Sequence, residues 1–157
     1  MIVSLNEIET TCYRAALGAG LSHGLAEDAA AIAARLAVSG GDGLAVMLRA
    51  LRFADRNRTA PPVFRRDGKS FRPAHPVLPS LIAGPAAADL KRAMPDAEID
   101  TSGADEPRVI AACLSDAPLQ RPAGTLEADN RVWQELRDLA ARTYVAASMQ
   151  SRLMGAG

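Results

Sequence analysis

The sequence predicts an α+β fold: an N-terminal three-helix array, a small central mixed sheet with a β-hairpin and one short helix, and a long C-terminal helix packing back. Two observations carry this. All ten prolines fall between Pro61 and Pro122, and the proline-free flanks repeat apolar residues at helical spacing. Inside the proline-bearing stretch the pattern changes to alternation and short apolar runs, which suit strands. At 157 residues the chain reads as a single domain. Its helical part covers 1–58, its α/β part 59–122, and its C-terminal helix and tail 123–157.

The elements follow in order. Ser4 and Glu7 have capping-box spacing, with Val3 and Ile8 placed as a hydrophobic staple. Leu5, Ile8, Cys12 and Ala16 form the apolar stripe of this first helix, and Gly18 and Gly20 end it. Leu25, Ala29, Ile32 and Leu36 mark a second helix, stopped by Gly40 and Gly41. A third starts after Asp42 as N-cap and buries Leu44, Met47, Leu48 and Leu51. In "VFRRDGKSFRP" the pair Asp67-Gly68 signals a hairpin, in a register that sets Phe64 opposite Phe71 and Arg66 opposite Lys69. "HPVLPSLIAG" reads as a short strand, and "PAAADLKRAM" as a helix with Pro85 at its first position. "AEIDT" and "RVIAACLS" read as further strands, the second covered on both sides. The last helix is predicted from Thr125 to about Met149, with Leu126, Val132, Trp133, Leu136, Leu139, Ala140, Tyr144 and Ala147 on one side.

Composition bounds the function. The chain is 48% hydrophobic but only 4% aromatic, so its core is thin, aliphatic and closely packed. With 18 basic against 18 acidic residues, no whole-protein field favours nucleic acid or a membrane surface. No run approaches a membrane span, and the first residues lack the basic and apolar regions of a signal peptide. The expected location is the cytoplasm. Cys12 and Cys113 lie far apart, fit no metal-ligand spacing and read as buried free thiols.

Few residues suggest chemistry. "SGGDG" lacks the spacing and the lysine of a phosphate loop, and a helix stop followed by an N-cap explains it. "IAGPAAAD" sets a glycine before a helix, which alone is a weak anion signal. His75 has no second ligand nearby, so no metal or other cofactor is expected. The most informative feature is a basic block. Residues 49 to 72 hold Arg49, Arg52, Arg56, Arg58, Arg65, Arg66, Lys69 and Arg72 against only Asp55 and Asp67. Arg49, Arg52 and Arg56 share one helix face, and with Arg66 and Lys69 they are the candidate anion-binding residues. An acidic block, Asp96, Glu98, Asp100, Asp105 and Glu106, follows without a base. Pairing of the two blocks, within or between chains, is the simplest expectation. Without interleaved exposed aromatics, nucleic acid is disfavoured as a partner.

Two resemblances add to this. Val3-Ser4-Leu5, Gly20-Leu21-Ser22 and Ala26-Glu27-Asp28-Ala29 lie in a segment, residues 3–54, that distantly resembles the N-terminal helices of the lactate/malate-type nicotinamide dehydrogenases. In that family a Ser-His-Gly triplet at the head of the third helix supplies the acid/base histidine. Here that slot holds Gly41-Asp42-Gly43, while Ser22-His23-Gly24 precedes the second helix, so the resemblance implies shared helical architecture without hydride transfer. "SLNEIE", "GLAEDAA" and "LAARTYVAAS…SRLMGAG" resemble a small family of uncharacterised bacterial proteins built on a domain of unknown function.

Val46 and Phe53 lie a heptad apart off the core stripe of the third helix, and Val145 and Met149 fall on the polar face of the last. Apolar residues in such places mark a contact surface. The expected function is a non-catalytic binding or accessory module, a homodimer or a subunit of a heteromeric complex. The alternative is a small enzyme or metabolite-binding protein that holds a carboxylate or phosphate at the 49–72 segment. His75 or Asp42 would then transfer protons.

Overall fold

A computed structural model describes residues 1–57 and 63–143. The capping box forms as its spacing predicts: Ser4 N–H donates to Glu7 Oε2 at 2.7 Å and Glu7 N–H donates to Ser4 Oγ at 3.2 Å. It opens α1 (Leu5–Gly18), which buries Leu5, Ile8, Cys12, Ala15 and Ala16. Helix α2 (His23–Val38) follows, capped by Ser22, and then α3 (Gly43–Arg56). Gly20, Gly40 and Gly41 take positive φ in the connections, which only glycine does without strain.

Before α1, β1 (Ile2–Val3) pairs antiparallel with β5 (Leu126–Glu127), a ladder extended by the Met1 amine donating to the Ala128 carbonyl at 2.7 Å. The sequence pattern places Leu126 in the last helix. That helix, α6 (Asn130–Ala141), instead starts where Asp129 accepts from the Arg131 and Val132 N–H groups, both at 2.9 Å. The strand pair and the cap together lay α6 beside α1. It buries Trp133, Leu136, Leu139 and Ala140, as its spacing predicts. Its predicted extension through Tyr144 to Met149 lies outside the described residues.

The second sheet is three-stranded and mixed. β2 (Phe64–Asp67) pairs antiparallel with β3 (Ser70–Pro73), and β3 pairs parallel with β4 (Glu98–Ile99). The hairpin is real, but its register differs by one residue from the predicted one. Asp67 faces Ser70 and Arg66 faces Phe71, so the turn residues are Gly68 and Lys69. Among the described residues only glycines have positive φ, and Gly68 is at +62°. A turn that needs positive φ only at its first central residue fits Gly-Lys, whereas Asp-Gly would demand it at both. Phe64 consequently faces Pro73, sharing a face with Phe71 diagonally.

Two predicted strands are helices. "SLIAG" begins α4 (Ser80–Ala93), leaving only Leu78, in an isolated bridge to Ala104, as strand-like. Pro85 therefore sits in the helix interior, where burial of Leu81, Ala83, Ala87 and Ala88 on one face outweighs its cost. "RVIAACL" lies in α5 (Pro107–Leu114), with Pro107 in its first turn, a start signal that the apolar run obscured. Its burial is one-sided: Val109 and Ile110 point inward, while Arg108 and Ala111 are exposed. Gly84 allows α4 and α5 to meet closely, since a Cβ there would stand 2.5 Å from Cys113 Sγ.

Helix α3 is central, touching α2, α4, α5 and α6. Only one stripe of it reaches solvent. The architecture is α+β, and among the described residues no helix is long and apolar enough to cross a membrane.

Candidate functional site

The exposed stripe of α3 is made of Arg49, Arg52 and Arg56, with Phe53 half-buried along its edge. Their i, i+3, i+7 spacing aligns them along one face. They line an open groove of about 720 Å³, closed on its other side by Asp105 and Glu106, with Asp55 from α3 itself. The three helix arginines among the predicted anion-binding residues are thus brought together, and Phe53, predicted as an interface residue, lies in the same groove.

The other candidates fall elsewhere. Arg66 bends back on its own hairpin, where Nε donates to the Gly68 carbonyl at 2.9 Å, and Lys69 sits at the exposed turn. Neither lines the groove. Val46 is 0% exposed, part of the core rather than an interface, because α3 is packed on more sides than its predicted stripe allows. Val145 and Met149 lie outside the described residues.

Most of the groove's charge is balanced. Arg49 Nε donates to Glu106 Oε1 at 2.5 Å, a bond that holds its guanidinium above the usual range. Arg52 pairs with Glu135, which also accepts from Arg131 Nε at 3.2 Å. Asp55 accepts from Arg142 Nη1 at 2.8 Å. Arg56 has no ion pair among the described residues. The expected pairing of basic and acidic blocks therefore occurs within one chain at Arg49–Glu106. Glu135 and Arg142, both on the α6 side, were missed, because nothing in the sequence brings α6 to α3.

Asp105 lines the groove and also caps a helix. Its Oδ1 accepts from the Ser80 N–H at 2.7 Å and so caps α4, whose N-cap residue, Pro79, offers no side-chain acceptor. Burial holds the Asp105 carboxyl above its usual range, against the opposing pull of the Ser80 N–H. A pKa raised in the folded state favours the neutral form. The stability this group contributes is complete below its unfolded pKa and is lost as pH rises through the folded one. Asp105→Asn keeps an acceptor for Ser80 and removes the titration. In urea unfolding it is expected to match the wild type in acid and exceed it at neutral pH. Parallel pH profiles for the two proteins would show that Asp105 does not carry this slope.

The candidate proton-transfer groups do not converge here. His75 is not part of the groove lining; His23, of the Ser-His-Gly triplet, is also outside it, with its Nδ1 bonded to Tyr13 Oη at 2.8 Å. Asp42 occupies the N-cap position of α3 without a side-chain cap bond. Its carboxylate instead pairs with Arg108, which holds it below the usual range, and approaches Arg49 at 3.8 Å. Among the described residues no group of three or more His, Cys, Asp or Glu side chains is arranged to hold a metal.

Comparison with known proteins gives a family. The family model described as Protein of unknown function (DUF3726) matches residues 3–104. The chain belongs to this family. The matched residues run from β1 through β4 and include all of α3, whereas Glu106, Glu135 and Arg142 lie beyond them. No curated protein and no solved structure matches the chain, so the likeness of residues 3–54 to the dehydrogenases is not among the findings.

Proposed function

We propose that this member of the family is a non-catalytic binding module whose recognition face is the α3 groove, and that the groove takes a carboxylate presented by a protein partner. The observation that supports this most is Arg56, a guanidinium in the groove beside Phe53 with no ion pair among the described residues. Arginine and aromatic side chains are enriched where proteins recognise one another, and a guanidinium fork matches a carboxylate in shape and charge. The same reading assigns the protein to the bacterial cytoplasm, where the free thiols of Cys12 and Cys113 stay reduced.

Amide NMR titration with glutamate, citrate and inorganic phosphate tests it. Carboxylates are expected to shift Arg52, Phe53 and Arg56 with Kd values of about 1 mM, as isolated fragments of a larger contact do. Arg56→Ala should weaken them at least tenfold. Shifts that ignore Arg56→Ala, or none at all, would refute the assignment.

The volume of the groove, about 720 Å³, favours a second reading, since small-molecule sites fall in this size range. In it the groove holds a free carboxylate or phosphate metabolite. Tight, selective binding of citrate or phosphate would favour this reading; weak binding common to all carboxylates favours the first.

A further inference from the structure

We infer that the occupant of the α3 groove is a second copy of this chain, docked groove to groove across a twofold axis that passes beside Phe53. This rests on the groove being a carboxylate-binding face, and it names the source of the carboxylate.

The argument begins with charge. A twofold contact joins a surface patch to itself, so the patch must be self-complementary. The groove meets that condition, since Arg49, Arg52 and Arg56 line it together with Asp55, Asp105 and Glu106. A groove shaped for a strongly acidic or strongly basic partner would carry a surplus of one sign.

Spacing then selects the register. Arg49 lies four residues before Phe53 and Arg56 three after it, about one helical turn to either side. When two α3 helices cross antiparallel at Phe53, Arg56 of one copy meets the Arg49–Glu106 pair of the other. Within a chain Glu106 is held by Arg49 alone of the groove arginines, at Nε 2.5 Å and Nη2 3.5 Å, and Arg56 has no ion pair among the described residues. Docking lets the partner's Glu106 accept from Arg49 and Arg56 together. It also joins the two Phe53 rings as an apolar centre inside a charged rim, the usual anatomy of an interface.

Gel filtration with light scattering over a wide range of concentration, combined with cysteine crosslinking, tests the proposal. The full chain is expected to move from monomer to dimer as concentration rises. Arg56→Glu should raise the dimer dissociation constant at least tenfold; Arg56 is exposed and has no ion pair among the described residues to lose, so the fold should survive its reversal. In a Cys113→Ser background, Phe53→Cys should form a disulfide between copies under mild oxidation, whereas Asp138→Cys, at an exposed position of α6, should not. A chain that stays monomeric yet shows Arg56-dependent carboxylate shifts would overturn the second copy and leave the binding face standing. A monomer without those shifts would overturn both. A dimer that ignores Arg56→Glu and does not crosslink at position 53 would also overturn this arrangement.

Discussion

Replacing Gly18 by alanine is expected to destabilise the protein by about 3 kcal/mol, the upper end of the usual cost of overpacking. Gly18 is the last residue of α1, where that helix meets the end of α6. A Cβ built there would stand 1.9 Å from the Leu139 carbonyl oxygen and 2.9 Å from its carbon. Both are backbone atoms of a helix held in place by Trp133, Leu136 and Leu139, so no side-chain rotation relieves the clash. The helices must separate, and contacts along α1 and α6 loosen with them. Alanine's better helix propensity, about 1 kcal/mol, offsets part of the loss. Gly24 is the control. Near the start of α2, a Cβ added to it would meet nothing within 4 Å, so Gly24→Ala should be neutral or slightly stabilising. Urea denaturation of the two variants beside the wild type gives the comparison. Equal midpoints for Gly18→Ala and Gly24→Ala would mean that α1 and α6 do not approach as closely as described.

Gly18 also shows how far the sequence could be read. As a helix terminator it was legible, because glycine at the end of an apolar stripe is a local signal. Its contact with Leu139 was not, since that depends on two helices more than a hundred residues apart being laid side by side by the β1–β5 ladder. The same division runs through the fold. Ser4 with Glu7 and the stripes of α1 to α3 are local and legible. The apolar run of α5 was not, because eight residues with a single buried face resemble a covered strand until the packing partner is known. The hairpin was found from Gly68, but its register depends on which central residue takes positive φ, a one-residue difference that composition does not resolve.

The candidate site divides likewise. Arg49, Arg52 and Arg56 share a face by arithmetic alone, so their convergence was readable. That Arg49 is held by Glu106 while Arg52 is held by Glu135 is tertiary information. It changes the chemistry, since Arg49 and Arg52 already hold carboxylates, whereas Arg56 has no ion pair among the described residues.

Val46→Asp should have the largest effect of all these substitutions, a loss of more than about 4 kcal/mol, the range that marks an unpaired buried charge. The sequence sets Val46 with Phe53 as a contact surface because the two are seven residues apart and off the stripe of Leu44, Met47, Leu48 and Leu51. That inference assumes a helix buried along one side. Helix α3 has α2, α4, α5 and α6 around it, so Val46, Ala50 and Ala54 are buried as well, and the solvent-facing stripe narrows to the arginines. Phe53 stays half-exposed at the edge of that stripe, which is why the two members of the pair part company. A domain with a net stability of about 5–15 kcal/mol survives Phe53→Asp, but with Val46→Asp it is expected to lose most of its cooperative unfolding transition. Circular dichroism through a urea titration distinguishes them. A Val46→Asp protein with the wild-type midpoint would place residue 46 in water. The face of α3 then open to a partner would be a different one from the arginine groove.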